Sequence, residues 1–375
     1  MMWALIFLFS CYFSGMMAIV YGFRKLPLFS SDAIEPIIHF SVIIPFRNEA
    51  ENLPNLLNTI EALNYPSALF EVIFVNDASE DNSEKIVGEA IEKSKFSLKL
   101  IQNNRLSNSP KKDAITEAIR ISKNQWMVTT DADCDLPKNW LKTLDNFIQK
   151  KNPVMVCGPV IYKTCGNTLE NFQQVDGFSL QAITIGSFGL KNPLLSNGAN
   201  LAYTKDCFLK VNGFTANNHI ASGDDIFLLE KVKKTFSKQI HFLKSKDFIV
   251  STKPQKKWKN TINQRVRWAS KTSKQKSIAS LILGLLVLVV NIIFLTLPFF
   301  MIFDYENIAI YILLLYFKII IDYSVVYPSA KFFSKEFKFW SFQWLQIVYA
   351  SIIIIIVLKS LRGRYYWKGR AFVNQ

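Results

Sequence analysis

Apolar residues gather at the two ends of this chain, and strand-like and helix-like patterns alternate between them. Residues 1–21 carry no charge and are long enough to cross a bilayer as a helix, which takes ~20 residues. Arg24 and Lys25 are the first charges after this run. A cleavable signal peptide puts its positive charge ahead of the apolar stretch. The reverse order here predicts an uncleaved anchor over residues 1–23, with residue 24 onward in the cytoplasm. Three more apolar runs, 281–302, 308–327 and 340–358, predict a C-terminal transmembrane region over 281–358. Lys318 and Asp322 are the only charges in those runs, and their i, i+4 spacing lets them neutralise each other on one helix face.

The middle of the chain, residues 37–255, reads as one α/β domain. Short β-branched runs at 40–45, 70–75, 98–102 and 126–130 predict buried strands. Between them, Leu53, Leu56, Leu57 and Ile60 recur at helical spacing, as do Ile86, Val87 and Ala90, and 112–121 is a third helix. Such alternation predicts a mostly parallel sheet covered by helices, with its ligand site beyond the carboxyl ends of the strands. Arg47 to Glu49, Asp77 and the pair Asp131/Asp133 all fall at those strand ends.

Composition narrows the class. Half the residues are hydrophobic, only 19% are charged, and 44 Lys+Arg against 29 Asp+Glu leave a net charge of +15, which excludes a disordered chain. Cys11, Cys134, Cys157, Cys165 and Cys207 form no C-x-x-C pair, so a zinc site or disulfide framework is not expected and a reducing cytoplasm fits. His39, His219 and His241 are the only histidines, too few for a His-rich metal site. Neither G-x-G-x-x-G nor a P-loop occurs. Residues 253–276 hold nine Lys/Arg and no acid, with Trp258 and Trp268 among them. That pattern predicts a basic amphipathic segment at headgroup depth; its junction with an apolar span sets aside a nucleic-acid patch.

Several polar groups carry candidate chemistry. Asp131-Ala132-Asp133 puts two carboxylates after a buried strand, where they serve either a turn or a hard divalent cation that keeps sites for substrate phosphates. Asp135, ahead of Pro137, reads as a turn or capping residue. Gly223-Asp224-Asp225 opens a helical stretch, so its acids either cap that helix or supply a general base. Lys111 and Lys112 face either solvent or a phosphate. In Gln264-Arg265-Val266-Arg267-Trp268, Arg267 suits phosphate charge and Trp268 a sugar face.

Taken in order, these segments resemble the family 2 glycosyltransferases, inverting enzymes with a GT-A catalytic domain, a Rossmann-like fold. The resemblance covers roughly residues 38–270. SVIIPFRNE at 41–49 looks like the family's first strand and nucleotide loop, implying donor contacts from Pro45, Arg47 and Glu49. VNDASED at 75–81 looks like V-D-D-x-S-x-D and implies that Asp77 contacts the nucleobase, with Asn76 at a position usually Asp. PKKDA at 110–114 resembles G-K-x-x-A, with Pro110 for the glycine ahead of Lys111. Asp131 and Asp133 match D-x-D, which implies Mg²⁺ or Mn²⁺. Residues 196–214 resemble the acceptor-side segment. Asp224-Asp225 stands at the family's acidic pair and implies Asp225 as catalytic base. Gln264, Arg267 and Trp268 match Q-x-x-R-W, and Trp367-Lys368-Gly369-Arg370 is similar to the W-R-x-G-R tail of members that glycosylate lipids.

The resemblance implies a multi-pass enzyme of the inner, cytoplasmic membrane with its catalytic domain in the cytoplasm. It implies a nucleotide-sugar donor, expected to be a UDP-sugar, and a lipid or glycan acceptor. Few spans and a short chain favour single transfer to a lipid over a processive polysaccharide synthase; a scaffold without activity would not need all these acids together. For topology, Asp304 and Glu306 suit an outer loop. Simple threading then puts Lys331, Lys335 and Lys338 inside, but the bases of tail 359–375 (Lys359, Arg362, Arg364, Lys368 and Arg370) outside. A re-entrant 308–327 would return the tail inside and send the three lysines out, and five bases against three favour it.

Overall fold

The computed structural model describes residues 2–164, 166–218, 220–272, 277–336, 339–361, 364–367 and 370–373. Cys165, His219, Lys274, Lys276, Lys338, Arg362, Lys368 and Gly369, singled out above alone or within a segment, lie outside the described residues.

Helix α1, Met2–Lys25, runs through the two bases that follow the apolar stretch. The α/β unit begins with β1 (Phe40–Phe46), α2 (Leu53–Glu61), β2 (Phe70–Asn76), α3 (Ser83–Lys93), β3 (Ser97–Gln102), α4 (Pro110–Ile121) and β4 (Trp126–Thr129). All seven residues of β2 are buried, as an apolar run covered on both faces requires. Helix α4 starts two residues earlier than its spacing predicts, because Pro110 suits a first helical position. Helix α3 starts two residues after Asp81, whose carboxylate accepts from the backbone N–H groups of Ala50 and Ser83 at 3.0 Å each.

The next stretch holds β5 (Cys134–Asp135), α5 (Trp140–Lys151), β6 (Met155–Cys157), β7 (Val160–Tyr162), α6 (Thr168–Gly189), β8 (Leu201–Thr204), α7 (Lys205–Lys210), α8 (Asp224–Phe236), β9 (Ile240–Phe242) and β10 (Val250–Thr252). Seven strands form the main sheet in the order β3-β2-β1-β4-β8-β6-β9. Strands β1 to β4 pair in parallel, whereas β8 is antiparallel to both of its neighbours. A small second sheet pairs β5, β10 and β7. Asp135 therefore ends a short strand instead of capping a helix, and its carboxylate meets Asn55 and Lys163.

Helix α9, Trp258–Thr272, takes up most of the basic segment, and α10 (Ile278–Phe303), α11 (Ile308–Phe332) and α12 (Phe339–Ser360) follow. With α1, these make four helices among the described residues that are long and apolar enough to cross a membrane. Lys318 and Asp322 do pair, at 2.9 Å; the Tyr12 hydroxyl donates to Asp322 at 2.5 Å and Lys318 donates to Gln346 Oε1 at 2.5 Å. Buried charge among apolar helices needs such partners. Helix α1 also lies tightly on α6. A Cβ at Gly186 would overlap the Ile19 carbonyl, and one at Gly189 would overlap the Gly22 carbonyl, so only glycine lets these backbones meet.

The end of α11 returns to the α/β unit: Phe333 stacks on Phe178 at 5.9 Å and Lys246 donates to Ser334 Oγ at 3.2 Å. The tail returns as well. Two antiparallel strands, β11 (Arg364–Trp367) and β12 (Arg370–Val373), follow α12, and Arg370 reaches Asp77. The turn after α11 and Arg370 of the tail thus both meet the α/β unit.

Candidate active site

The parallel half of the sheet carries Asp77 beyond the end of β2 and Asp131 beyond the end of β4, the two strands that flank β1. Asp77 follows β2 and is 6% exposed. Its Oδ1 accepts from Asn103 Nδ2 at 2.8 Å and from Arg105 Nε at 2.6 Å; its Oδ2 accepts from Arg370 Nη1 at 2.7 Å. Its backbone carbonyl accepts from Arg47 at 3.0 Å and from Arg105 at 3.1 Å. Arg47 also reaches the Ala78 carbonyl and, at 2.7 Å, Glu80. Asn76 faces the other way: it donates to Glu84 and Gln102 and accepts from the Ser79 N–H, which fixes the turn that presents Asp77.

Asn103 links this group to the next one, because its Nδ2 also donates to the Pro110 carbonyl at 3.0 Å, at the start of α4. One residue on, Lys111 Nζ sits 2.7 Å from Asp131 and 3.2 Å from Asp224. Burial works against this ammonium, but Asp131 and Asp224 outweigh it and raise its pKa above the ordinary lysine value. Burial likewise works against the Asp224 carboxylate, yet Lys111 and Lys271 hold its pKa below the usual range. Gly223, with φ of 84°, turns the chain into α8, and a Cβ there would strike Phe227. The turn buries Asp225, whose Oδ1 lies 3.4 Å from Lys271 Nζ.

Lys112 faces neither solvent nor this cluster directly. It is 1% exposed, donates to the carbonyls of Asn217 and Ile220 at 2.7 and 2.9 Å, and lies 5.0 Å over the Phe227 ring. Burial pushes its pKa down to about 8.

Helix α9 reaches the cluster through Lys271, and Gln264, Arg267 and Trp268 precede it on the same helix at spacings of three and four. Arg265, between them, is buried: its Nε donates to Asp176 Oδ2 at 2.6 Å and its Nη1 to Gln264 Oε1 at 2.9 Å. Its guanidinium lies 4.2 Å over the Trp268 ring, so that ring already has a cation on one face.

Of the residues expected from sequence, Lys111, Asp131, Asp224 and Asp225 form one cluster and Arg47 and Asp77 another. Asp133 stands in the turn after β4, beside Cys134. Pro45 pairs with Val75 inside the sheet. Glu49 is buried, accepts from Asn52 at 2.5 Å, and its backbone N–H donates to Ser83 Oγ, so it builds the loop. Sequence reasoning missed Arg105, Lys271, Arg265 and the placement of Arg370. Lys271 alone had a signal, four residues beyond Arg267 on one helix face.

Among the described residues no three His, Cys, Asp or Glu side chains assemble as a ready cage for a metal. A hard cation can take only one or two carboxylates and fill its other positions with water and phosphate; Asp131, paired with Lys111, and Asp133 are the carboxylates in the turn after β4. Buried polar atoms around the site, Asn103 Oδ1, Ser109 Oγ and Ser222 Oγ, lack a protein partner. A polar ligand or water would satisfy them.

A family model described as glycosyl transferase family group 2 matches residues 126–327, and one described as glycosyl transferase family 2 matches 41–202. The chain is 26% identical over 188 residues to glycosyltransferase AglE of Haloferax volcanii, covering 50% of this chain and 58% of that one. It is 34% identical over 103 residues to an undecaprenyl-phosphate 4-deoxy-4-formamido-L-arabinose transferase of Pseudomonas savastanoi, covering 27% of this chain and 30% of the relative. The chain thus spans well under two thirds of these relatives' own length. Its fold is similar to that of the mannosyltransferase PcManGT from Pyrobaculum calidifontis, solved with GDP-Man and Mn²⁺: the TM-score is 0.58 at 16% identity, over 95% of this chain and 97% of that one.

Proposed function

This chain belongs to the family 2 glycosyl transferases, and on that premise we propose that it moves a sugar from a nucleoside-diphosphate sugar to a hydroxyl of a membrane lipid, with inversion at the anomeric carbon. The observation that carries the reading is Lys111, shared between Asp131 and Asp224 at 2.7 and 3.2 Å. One ammonium joins the carboxylate edge suited to phosphates and the acidic pair suited to proton transfer. In the reaction, Asp225 accepts the proton of the acceptor hydroxyl. That oxygen bonds to the anomeric carbon while the carbon–oxygen bond to the diphosphate breaks on the opposite face. The bonding pair leaves with the nucleoside diphosphate, and Lys111 and Arg267 take up its charge. Asp131 and Asp133 would hold Mg²⁺ or Mn²⁺, which when bound offsets the charge of that leaving group.

A lipid acceptor is supported by the four membrane-competent helices and by a cavity among them. Tyr12, Asp176, Ser179, Asp322, Gln346 and Tyr349 line that cavity along with apolar side chains. Asp176 is the residue that anchors Arg265 of α9, so the cavity adjoins that helix. The relative named for undecaprenyl phosphate points to the same acceptor class.

The test uses membranes containing the protein, a panel of radiolabelled nucleotide sugars, and Mg²⁺ or Mn²⁺. We expect metal-dependent label in organic-extractable lipid, absent with Asp225→Asn. Label confined to material retained as polymer would refute single transfer to lipid. Unchanged turnover in Asp225→Asn would refute the base.

A further inference from the structure

The C-terminal strand pair reaches Asp77, which lies 293 residues earlier in the chain than Arg370. Arg370, paired with Trp367 across β11 and β12, sends Nη1 to Asp77 Oδ2 at 2.7 Å and Nη2 to the Asp77 carbonyl at 3.3 Å. Its side chain is 22% exposed and that of Asp77 is 8% exposed. β11 packs against α9, the helix that bears Arg267, and against the end of α12. These contacts hold β11 and β12 where Arg370 meets Asp77.

The charge there does not balance as a structural ion pair would. Arg105 and Arg370 both meet the one Asp77 carboxylate, while Arg47 takes Glu80 as its partner. Arg47 Nε is buried without a partner. Several guanidiniums around one carboxylate form a site for an anion, since the planar fork matches phosphate oxygens. Both Asp77 oxygens are already occupied, Oδ1 by Asn103 and Arg105 and Oδ2 by Arg370. Oδ2 accepts from Arg370 and has a second lone pair, so a nucleobase N–H can bind it beside Arg370 or in its place. A guanidinium displaced from Oδ2 is free to pair with phosphate oxygens, which its planar fork matches.

We propose that the C-terminal hairpin is part of the donor site and that Arg370 binds the nucleoside diphosphate, resting on Asp77 Oδ2 when the pocket is empty and turning to phosphate oxygens when a base occupies that oxygen. This rests on the transferase reading above and adds a donor-binding residue outside the α/β unit.

The test measures binding of UDP, GDP, CDP and ADP to detergent-purified full-length protein by calorimetry, with Mn²⁺ present. For the nucleotide that binds, Arg370→Ala is expected to weaken affinity about 10–100-fold, the worth of a charge-assisted hydrogen bond. Arg370→Lys should recover only part of the loss, because it restores charge without the fork. The melting temperature without nucleotide should move little, which separates a binding role from a structural one. A chain ending at Leu361 should bind as weakly as Arg370→Ala. Affinity in Arg370→Ala equal to the parent's would overturn the proposal, and tighter binding would make the hairpin a plug and overturn it as well. A parent protein that binds none of the four would overturn the transferase reading itself.

Discussion

Arg265 and Asp176 form an ion pair that removal of either partner should expose. Arg265 Nε and Nη2 lie 2.6 and 2.5 Å from Asp176 Oδ2, and the side chains are 6% and 10% exposed. Asp176→Asn would leave a guanidinium buried without its counter-charge, and Arg265→Met would leave a buried carboxylate; either costs about 3–5 kcal/mol. If independent, the two losses would sum to about 6–10 kcal/mol. The double variant Asp176→Asn/Arg265→Met removes both charges together. It leaves Gln264 Oε1 and the Tyr162 hydroxyl short of one partner each, a cost of about 1–3 kcal/mol in all. It should therefore be far more stable than either single variant's loss implies. Equilibrium unfolding in mixed micelles, with tryptophan fluorescence as probe, measures all four proteins. A double variant as unstable as the sum of the singles would refute the argument that the pair, and not each side chain by itself, anchors α9.

Three further outcomes are expected. Gly189→Ala should push α1 away from α6 and lower stability by about 1–3 kcal/mol, read as a lower melting temperature in detergent. Burial holds Lys112 and Lys244 at about 8 when folded, below their ordinary 10.5, so the unfolded chain binds more protons between those values; stability should rise with pH across that window. Lys112→Met should reduce the slope by up to about 1.4 kcal/mol per pH unit, checked by unfolding at pH 7.5 to 10. Asp133→Asn should raise the Mn²⁺ concentration needed for half-maximal transfer at least tenfold, checked by metal titration of the label assay; an unchanged requirement would remove Asp133 from the metal site.

The parallel half of the sheet was legible because β1, β2 and β4 are short apolar runs buried almost throughout, β3 is a half-buried edge strand, and each helix between has one apolar stripe. Those patterns are local, and the strand-end rule then predicted that Asp77 and Asp131 would share an edge. The second half broke both patterns. Strands β6 to β10 are three or four residues long, too short for alternation to register. Helix α6 packs on both α1 and α11, so Gln173, Asp176 and Gln181 are buried among apolar neighbours and blur its stripe. The carboxylates of the site were legible as residue types after strands. Their cationic partners were not: Arg105, Lys271 and Arg370 come from a loop, a helix end and the tail, and only tertiary folding brings them in.

The Asp77–Arg370 contact also orders events during synthesis. Ribosomes add about 5–20 residues per second, so the 293 residues between the partners take roughly 15–60 s to emerge. During that interval the α/β unit can fold, but the pocket at Asp77 lacks its last guanidinium. Helices α10 to α12 must leave the ribosome and find their places before Arg370 arrives. A nascent chain stalled in insertion would thus lack the Arg370–Asp77 contact, and formation of that contact would coincide with completion of the membrane-competent helices.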